Sequence, residues 1–151
     1  MFPMIIDFAD MLLAALVVGA MFGVWLFFNP AGLAANIYVT MHQQGVRTLN
    51  KPMPILGAAT ILLTIAAAVL GRNDSARAGL LVGATFCFVA VALITRFLNQ
   101  PINSIVATWR IDSPPTNWTG LRDRWWRGHL IRLVTGVAGL CLLIAAMLRR
   151  G

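Results

Sequence analysis

Two histidines are the residues of this chain best suited to acid–base chemistry near neutral pH, because an imidazole titrates in that range. His129 follows Trp125 by four residues and precedes Arg132 by three, and Arg122 lies one turn before Trp125. At about 100° per residue, these four side chains form one polar and aromatic stripe along a helix. The pattern predicts that His129 acts as a general base and that Arg132 stabilises the anion that is formed. His42 is the second candidate base.

Another polar stretch reads Asn99-Gln100-Pro101-Ile102-Asn103. Pro101 lacks a backbone N–H and disfavours helical geometry at the preceding residue, so we expect a kink or a restart of the helix here. Asn99 suits the N-cap of the restarted helix, and Asn103 can turn its amide into the gap that the kink opens. An interrupted helix at a membrane boundary commonly builds a ligand site, although capping alone also explains this stretch.

Simpler explanations exist for the histidines as well. An interfacial belt accounts for the aromatic and basic residues near His129, and a solvated interfacial helix accounts for His42. The functional alternative makes a sharper prediction, namely that side chains from three separate parts of the chain face one cavity. Because a buried His or Arg within a membrane is costly unless it is paired, we expect mutual hydrogen bonds or a ligand there. The members of this predicted site are His42, Asn99, Asn103, His129 and Arg132.

The elements that position these residues are four long apolar segments. The chain has 151 residues, of which 59% are hydrophobic and 11% are charged, whereas a soluble domain has about 25% charged residues. This composition excludes a disordered chain and argues against a soluble globule. The segments approach the roughly 20 residues that a bilayer core requires of a helix, and they lack the alternation of barrel strands. We therefore predict an all-α bundle of four transmembrane helices, a single domain over 1–151 with helices near 5–28, 52–71, 78–98 and 125–148.

The charge pattern favours the lipid bilayer as a partner and argues against nucleic acid. The formal net charge of +7 comes from eleven Arg, one Lys and five Asp, and the arginines lie between apolar runs. Because the chain has no Glu, a carboxylate-rich metal site is excluded. Cys87 and Cys141 lie inside apolar runs without CxxC spacing, which predicts buried free thiols. Close helix packing is predicted at glycines that recur at helical spacing, which are Gly19, Gly23, Gly79, Gly83, Gly136 and Gly139.

Four spans place both chain ends on one side of the membrane. Amphipathic and loop segments emerge on the other face, where we expect residues 29–51 and 107–118 to lie outside the hydrocarbon. That face holds eight basic residues against four on the opposite side. The count favours a cytoplasmic location for it, but the orientation stays open because these residues spread over longer segments. An excess of Arg over Lys is typical of GC-rich bacterial genomes, so we expect a bacterial inner membrane.

Several of these motifs resemble those of the anthrone oxygenase-like family of small four-helix membrane proteins, and the resemblance covers most of the chain. The motifs are, in chain order, Gly19 and Gly23, His42-Gln43 followed by Met53-Pro54, Asn99-Gln100-Pro101-Ile102-Asn103, Trp109, Pro114-Pro115-Thr116-Asn117-Trp118 and Arg122-x-x-Trp125-x-x-x-His129-x-x-Arg132. The resemblance implies an oxidoreductase that oxygenates anthrones to anthraquinones with molecular oxygen. No metal or organic cofactor is established for the family.

The first function class is therefore a membrane oxygenase acting on a flat, apolar, oxygenated small molecule. A histidine would remove a proton from a carbon next to an aromatic carbonyl, and the resulting carbanion would react with oxygen directly. Asn99 or Asn103 would help Arg132 to hold the enolate oxygen. Trp109 and Trp125 would form an apolar wall for the rings. Arg122 is a further candidate substrate contact.

Two other classes remain open at this point. A haem or a metal ion held by His42 and His129 is one of them. The other is a non-enzymatic small subunit that binds a larger membrane complex through its glycine-lined helices, and a homo-oligomer also remains open. The sequence itself identifies neither a cofactor nor a particular substrate.

Overall fold

The computed structural model describes residues 2–149, and these residues are predominantly helical. The helices are α1 (Phe2–Phe27), α2 (Ala35–Leu49), α3 (Pro52–Leu70), α4 (Ser75–Ile94), α5 (Gln100–Val106) and α6 (Trp118–Leu148). A 3-10 turn at Pro30–Gly32 precedes α2, and a π-helical segment at Thr95–Asn99 joins α4 to α5. No strand occurs between residues 2 and 149.

Four helical runs are long and apolar enough to cross a bilayer, namely α1, α3, the continuous run Ser75–Val106 and α6. Helix α6 packs along α4 and α1, and α3 packs against α1 and α4. The outer faces of the bundle carry large apolar side chains such as Phe8, Leu26 and Phe86, each at least 70% exposed. Such an apolar exterior suits lipid rather than water. The predicted all-α architecture is confirmed, and the four spans are consistent with an integral membrane protein.

Two of the four helical runs extend well beyond their predicted ranges. The last helix begins at Trp118 rather than near residue 125, and the third helical run covers Ser75–Val106 rather than 78–98. Both predicted ranges stopped where charged and polar residues begin, but a helix continues into polar sequence once it has left the hydrocarbon. At the start of α4, the Asp74 carboxylate accepts hydrogen bonds from two backbone N–H groups at 3.0 and 3.1 Å, which fixes that end.

The predicted break at Pro101 takes a different form in the structure. Gln100 keeps helical geometry, with φ −62° and ψ −41°, and its N–H bonds to the carbonyl of Thr95 five residues earlier. The turn contains one extra residue, which accommodates the missing N–H of Pro101. The helix therefore bulges instead of restarting. The prediction that Asn99 caps a new helix is therefore wrong. Its side chain instead donates to the backbone carbonyl of Trp125 on α6, at 2.9 Å.

Close helix packing at glycine is confirmed on α6 and is wrong at three of the other predicted positions. A Cβ added at Gly136 or Gly139 would lie 2.6 or 2.9 Å from side-chain atoms of the neighbouring helices. A Cβ added at Gly19, Gly23 or Gly79 would meet nothing within 4 Å. Glycine spacing alone cannot distinguish a tight helix crossing from a face that borders lipid or an open space.

Both cysteines are free thiols, as predicted, but neither of them is buried. Cys87 is half-buried and Cys141 is exposed on the outside of α6. The prediction of burial is wrong because an apolar run in a membrane protein does not have to face other protein. One side of each spanning helix is free to contact lipid.

The end of the bundle away from α2 contains a buried polar cluster. One guanidinium nitrogen of Arg77 lies 2.9 Å from both carboxylate oxygens of Asp7. The Thr64 hydroxyl lies 2.9 Å from an oxygen of Asp10, which is fully buried. These contacts connect α1 to α3 and α4 and pair polar groups that would be costly to bury alone, although Oδ2 of Asp10 and Nε of Arg77 have no hydrogen-bond partner in the described chain.

Replacing Arg77 with Met should destabilise the bundle by about 3–5 kcal/mol, because removing one partner of a buried ion pair leaves a charged group poorly compensated. Thermal unfolding of the purified protein in detergent measures the loss as a lower Tm. The matched control is Arg72→Met, since Arg72 is exposed and makes one 3.5 Å bond to a backbone carbonyl. Equal unfolding temperatures for the two variants would contradict a stabilising role for the Asp7–Arg77 pair.

Candidate functional site

A large cavity opens between α1, α2, α3 and the π-helical segment, at the end of the bundle where α2 lies. Its volume is about 1450 Å³, and most of its lining is apolar. Four of the residues predicted from the sequence line it, namely His42, Asn103, Trp125 and Arg132. A smaller groove of about 370 Å³ between α1 and α6 is lined only by apolar side chains, without any titratable group. The large cavity is therefore the candidate functional site.

Three cavity residues form a hydrogen-bonded chain that fixes the state of one histidine. The indole N–H of Trp125 donates to Oδ1 of Asn103 at 2.8 Å, and Nε2 of His42 lies 3.1 Å from the same oxygen. An indole nitrogen can only donate, so the atom of Asn103 that faces it is the oxygen. That oxygen can only accept, so Nε2 of His42 carries the ring proton. The lone pair of His42 is consequently on Nδ1.

His42 is held among aromatic rings and is almost completely buried. The rings of Phe28, Tyr38 and Trp125 lie 4.9 to 6.4 Å from the imidazole, centroid to centroid. Within the described chain, Nδ1 has no hydrogen-bond partner. Burial lowers the pKa of His42 to about 4, while the hydrogen bond to Asn103 acts in the opposite direction. At neutral pH, His42 is therefore an uncharged imidazole with an unused lone pair.

The position of α2, and thus of His42, depends on a neighbouring glutamine. The Gln43 amide donates to the backbone carbonyls of Val106 and Trp109, at 3.0 and 2.9 Å. The Val106 carbonyl lies at the end of α5 and also accepts the Trp109 N–H at 3.1 Å, whereas the Trp109 carbonyl lies three residues beyond the helix. Gln43 was not among the predicted site residues, although the pair His42-Gln43 belongs to the family-like motif. Gln43 thus fixes the position of α2, and the adjacent His42 is held through its own hydrogen bond to Asn103.

Arg132 brings a positive charge to the cavity wall. Its Nε and Nη2 atoms donate to Nδ1 of His129 at 3.2 and 2.9 Å, and Nη1 donates to the Thr95 hydroxyl at 3.4 Å. The ion pairs in the described chain involve Arg77 and Arg122 but not Arg132. The guanidinium is therefore held by two neutral groups, and its charge is not neutralised by a carboxylate.

His129 lies behind this wall rather than in it. It is fully buried, it stacks on Trp125 with the ring planes 6° apart, and it is not among the residues that line the cavity. Because a guanidinium can only donate, Nδ1 of His129 is an acceptor and the ring proton is on Nε2. Nε2 is buried and has no hydrogen-bond partner in the described chain. Both ring nitrogens of this imidazole are therefore enclosed by protein.

Asn99 is also buried behind the cavity, at 0% exposure. Its amide lies against Gly128 of α6, where an added Cβ would approach Oδ1 of Asn99 to 3.0 Å. Close contact at this glycine lets the π-helical segment hold the turn of α6 that carries Trp125. Asn99 thus supports the site from outside the cavity. Of the five residues predicted to face one cavity, three line it, namely His42, Asn103 and Arg132.

Two predicted substrate contacts lie away from the cavity. Trp109 follows α5 and packs with the aromatic cluster around Tyr38. Arg122 pairs with Asp123 at 2.8 Å, and its guanidinium lies 4.9 Å from the ring centroid of Trp118. Neither residue lines the cavity.

The two histidines do not present their nitrogens to a common space. The ring of Trp125 contacts both imidazoles, and Arg132 occupies Nδ1 of His129. Within residues 2–149, no group of three or more His, Cys, Asp or Glu side chains is arranged to hold a metal ion. The hypothesis of a haem or metal held jointly by His42 and His129 does not fit this geometry.

A profile of the anthrone oxygenase family matches residues 44–142, about two thirds of the chain. The chain belongs to the anthrone oxygenase family. This finding confirms the resemblance inferred from the sequence motifs. No curated protein and no solved structure matches the sequence significantly.

The segment shared with the anthrone oxygenase family contains most of the site described above. It includes the π-helical segment, Asn103, Trp125, His129 and Arg132, and it begins two residues after His42. The family match thus covers the cavity wall that carries Arg132, whereas His42 lies just outside the matched segment.

Replacing Gly128 with Ala should lower the Tm of the protein, with a loss of about 1–3 kcal/mol in stability, because the new methyl group overpacks the contact with Asn99. Fluorescence of the tryptophans should change as well, since Asn99 holds the backbone at Trp125. Gly120→Ala on the same helix is the control, because a Cβ there meets nothing within 4 Å. A Gly128 variant as stable as the Gly120 variant would rule out a tight contact at Asn99.

Proposed function

We propose that this protein is an integral membrane oxygenase that uses molecular oxygen to convert a ring methylene of an apolar aromatic ketone into a carbonyl. Membership of the anthrone oxygenase family supports the reaction class. A large, mostly apolar cavity with a few polar groups supports a flat aromatic substrate. The bundle places this cavity among helices that suit lipid, a phase in which such a substrate would concentrate.

The observation that carries the proposal is the guanidinium of Arg132. A positive charge in an apolar cavity, held by neutral His129 and Thr95, stabilises an anion that forms beside it. Removal of a proton from the ring methylene, which is conjugated with the carbonyl through the aromatic rings, produces such an anion, with its charge largely on the ketone oxygen. Arg132 is already oriented by its hydrogen bonds, so little reorganisation is needed when the charge develops.

We assign the base to His42, whereas the sequence pattern favoured His129. The lone pair of His129 is engaged by Arg132, and its ring does not reach the cavity. His42 lines the cavity, and its Nδ1 has no hydrogen-bond partner in the described chain. Nδ1 is buried, and the imidazole lies among the rings of Phe28, Tyr38 and Trp125, so the substrate has to displace a neighbouring side chain to reach it. His129 then acts by positioning Arg132.

The reaction balances without any other reactant. His42 accepts a proton from the methylene carbon, and Arg132 stabilises the enolate. The carbanion donates electrons to oxygen and forms a carbon–oxygen bond, and the protonated imidazole of His42 returns the proton to give a hydroperoxide. Loss of the remaining hydrogen from that carbon, with cleavage of the oxygen–oxygen bond, releases water and leaves the new carbonyl. One oxygen atom enters the product and the other leaves as water.

Trp125 and Asn103 hold His42 and Arg132 in position relative to each other. Trp125 stacks on His129 and donates to Asn103, which in turn accepts from His42. Its indole also forms part of the cavity wall, where it would contact the rings of the substrate. Asn103 keeps Nε2 of His42 protonated and therefore keeps the basic nitrogen at Nδ1.

The test is turnover of an anthrone by the purified protein in lipid nanodiscs under isotopically heavy oxygen gas. We expect oxygen uptake equal to product formed, with one heavy atom in the new carbonyl. A carbonyl oxygen derived from water, or no protein-dependent uptake, would contradict the proposal. A non-enzymatic subunit would show the second result, and a haem protein would show a Soret band in the purified sample.

We also propose a bacterial inner membrane location, with both chain ends on the same side. The predominance of Arg over Lys and the even number of candidate spans support it. Reporter fusions at the two ends in a bacterial host should give the same compartment. Opposite compartments would contradict an even number of crossings.

A further inference from the structure

The cavity has two ends of different character. Polar, exposed side chains line its mouth, among them Gln44, Thr48 and Ser104. At the opposite end, which we call the deep end, four lining residues are at most 8% exposed, namely Val17, Met21, Thr60 and Phe88. A molecule at the deep end therefore contacts mainly buried side chains, whereas one at the mouth meets polar groups.

The chemistry of the deep end disfavours water. Thr60 is the polar residue there, and its hydroxyl hydrogen is used by the backbone carbonyl of Leu56, at 2.9 Å. Val17, Met21 and Phe88 offer no strong hydrogen-bonding group. A buried water needs two to four polar partners, and cavities with apolar walls remain dry while accepting small apolar molecules or xenon. The ligand that suits this end is therefore small and apolar.

The deep end also adjoins the proposed reaction centre. Thr95 accepts a hydrogen bond from Arg132, and Phe88 lies seven residues before Thr95 on the same helical run. At 1.5 Å per residue this separation is about 10 Å. Val91 lines the cavity between these two levels. The deep end therefore continues directly from the wall that carries the guanidinium, on the side away from the mouth.

We propose that the deep end of the cavity binds molecular oxygen, the second substrate of the proposed reaction. Oxygen is small and apolar, so it favours an apolar enclosure over water. The aromatic substrate enters by the mouth and places its carbonyl oxygen at Arg132, and oxygen then approaches the carbanion from the opposite side. This assignment rests on the proposed oxygenase function, because it requires that oxygen is a substrate.

Two measurements test this assignment. Crystals of the protein grown in a lipid phase and pressurised with xenon should show bound xenon beside Val17 and Phe88. The variant Ala20→Phe should raise the KM for oxygen about tenfold, because it narrows the deep end one turn from Val17, while the KM for the anthrone stays unchanged. Ala15→Phe is the control, since Ala15 is exposed on the same helix and does not line the cavity.

The outcomes separate the two proposals. Absence of xenon from the deep end would overturn the assignment, and so would an unchanged KM for oxygen in Ala20→Phe. A raised KM for the anthrone alone would show that the aromatic substrate itself occupies the deep end, which also overturns it. If the wild-type protein consumes no oxygen with the anthrone, the oxygenase proposal fails together with this one. Xenon at the deep end would then still establish an apolar gas site.

Discussion

Replacing Arg132 with Gln is expected to lower kcat for an anthrone by about 10²–10³-fold, the usual loss when one group that stabilises a developing oxyanion is removed. The guanidinium lies in the cavity wall without a carboxylate partner in the described chain. Its charge is therefore available to the enolate, which exists only once the proton has been removed. For that reason kcat and kcat/KM should fall together, which is the signature of an interaction made in the transition state.

Two further variants make this result specific. Arg132→Lys retains the charge but loses the planar group that contacts His129 and Thr95 together, so its activity should lie between those of the wild type and Arg132→Gln. Arg127→Gln removes a charge from an exposed position on the same helix, outside the cavity lining, and should leave turnover unchanged. Oxygen uptake by the purified variants measures all three. Wild-type turnover in Arg132→Gln would remove the basis of the proposed function.

Part of this site is predictable from the sequence because it depends on a single regular helix. Residues three and four apart share a helix face, so the spacing of Trp125, His129 and Arg132 indicates their mutual contact. The structure confirms it, with His129 stacked on Trp125 and bonded to Arg132. Four candidate spans follow similarly from the lengths of the apolar segments.

Other parts of the site lie where the chain departs from a regular helix, and residue spacing does not predict their geometry. The π-helical segment adds one residue to a turn, which directs Asn99 towards α6 instead of into the cavity. Arg122 shares the predicted face of His129, but near the start of α6 its long side chain turns to Asp123 and Trp118. Both partners lie on α6 itself, and residue spacing does not show which neighbour a long side chain contacts.

The contact between His42 and Asn103 could not be predicted from the sequence either. These residues are 61 positions apart, and their hydrogen bond depends on how α2 docks on α5. Amphipathic periodicity indicates that α2 has an apolar face, but not which helix that face meets. The relative merit of the two histidines as bases therefore could not be decided from the spacing around His129. It depends on which imidazole nitrogen is free, which is a property of the tertiary structure.

Replacing His42 with Gln is the second change with a large expected effect, a fall in kcat of about 10²–10⁴-fold, as is typical when a general base is lost. The Gln amide nitrogen can still donate to Asn103, so the hydrogen bond is kept and the basic nitrogen is removed. His129→Gln is the matched comparison, because its amide oxygen can still accept from Arg132. That variant should lose much less activity if His129 only positions the guanidinium.

The pH dependence of kcat/KM is an independent test of His42 as the base. A base must be unprotonated in the free enzyme, and burial lowers the pKa of His42 to about 4. Activity should therefore persist as the pH falls below the ordinary histidine pKa of about 6.5 and should be lost only as it passes through about 4. As the enolate forms, its negative charge favours the protonated imidazole, so His42 becomes a stronger base when it is needed. An acid limb near 6.5 would contradict His42 as the base, and a larger loss in His129→Gln than in His42→Gln would return that role to His129.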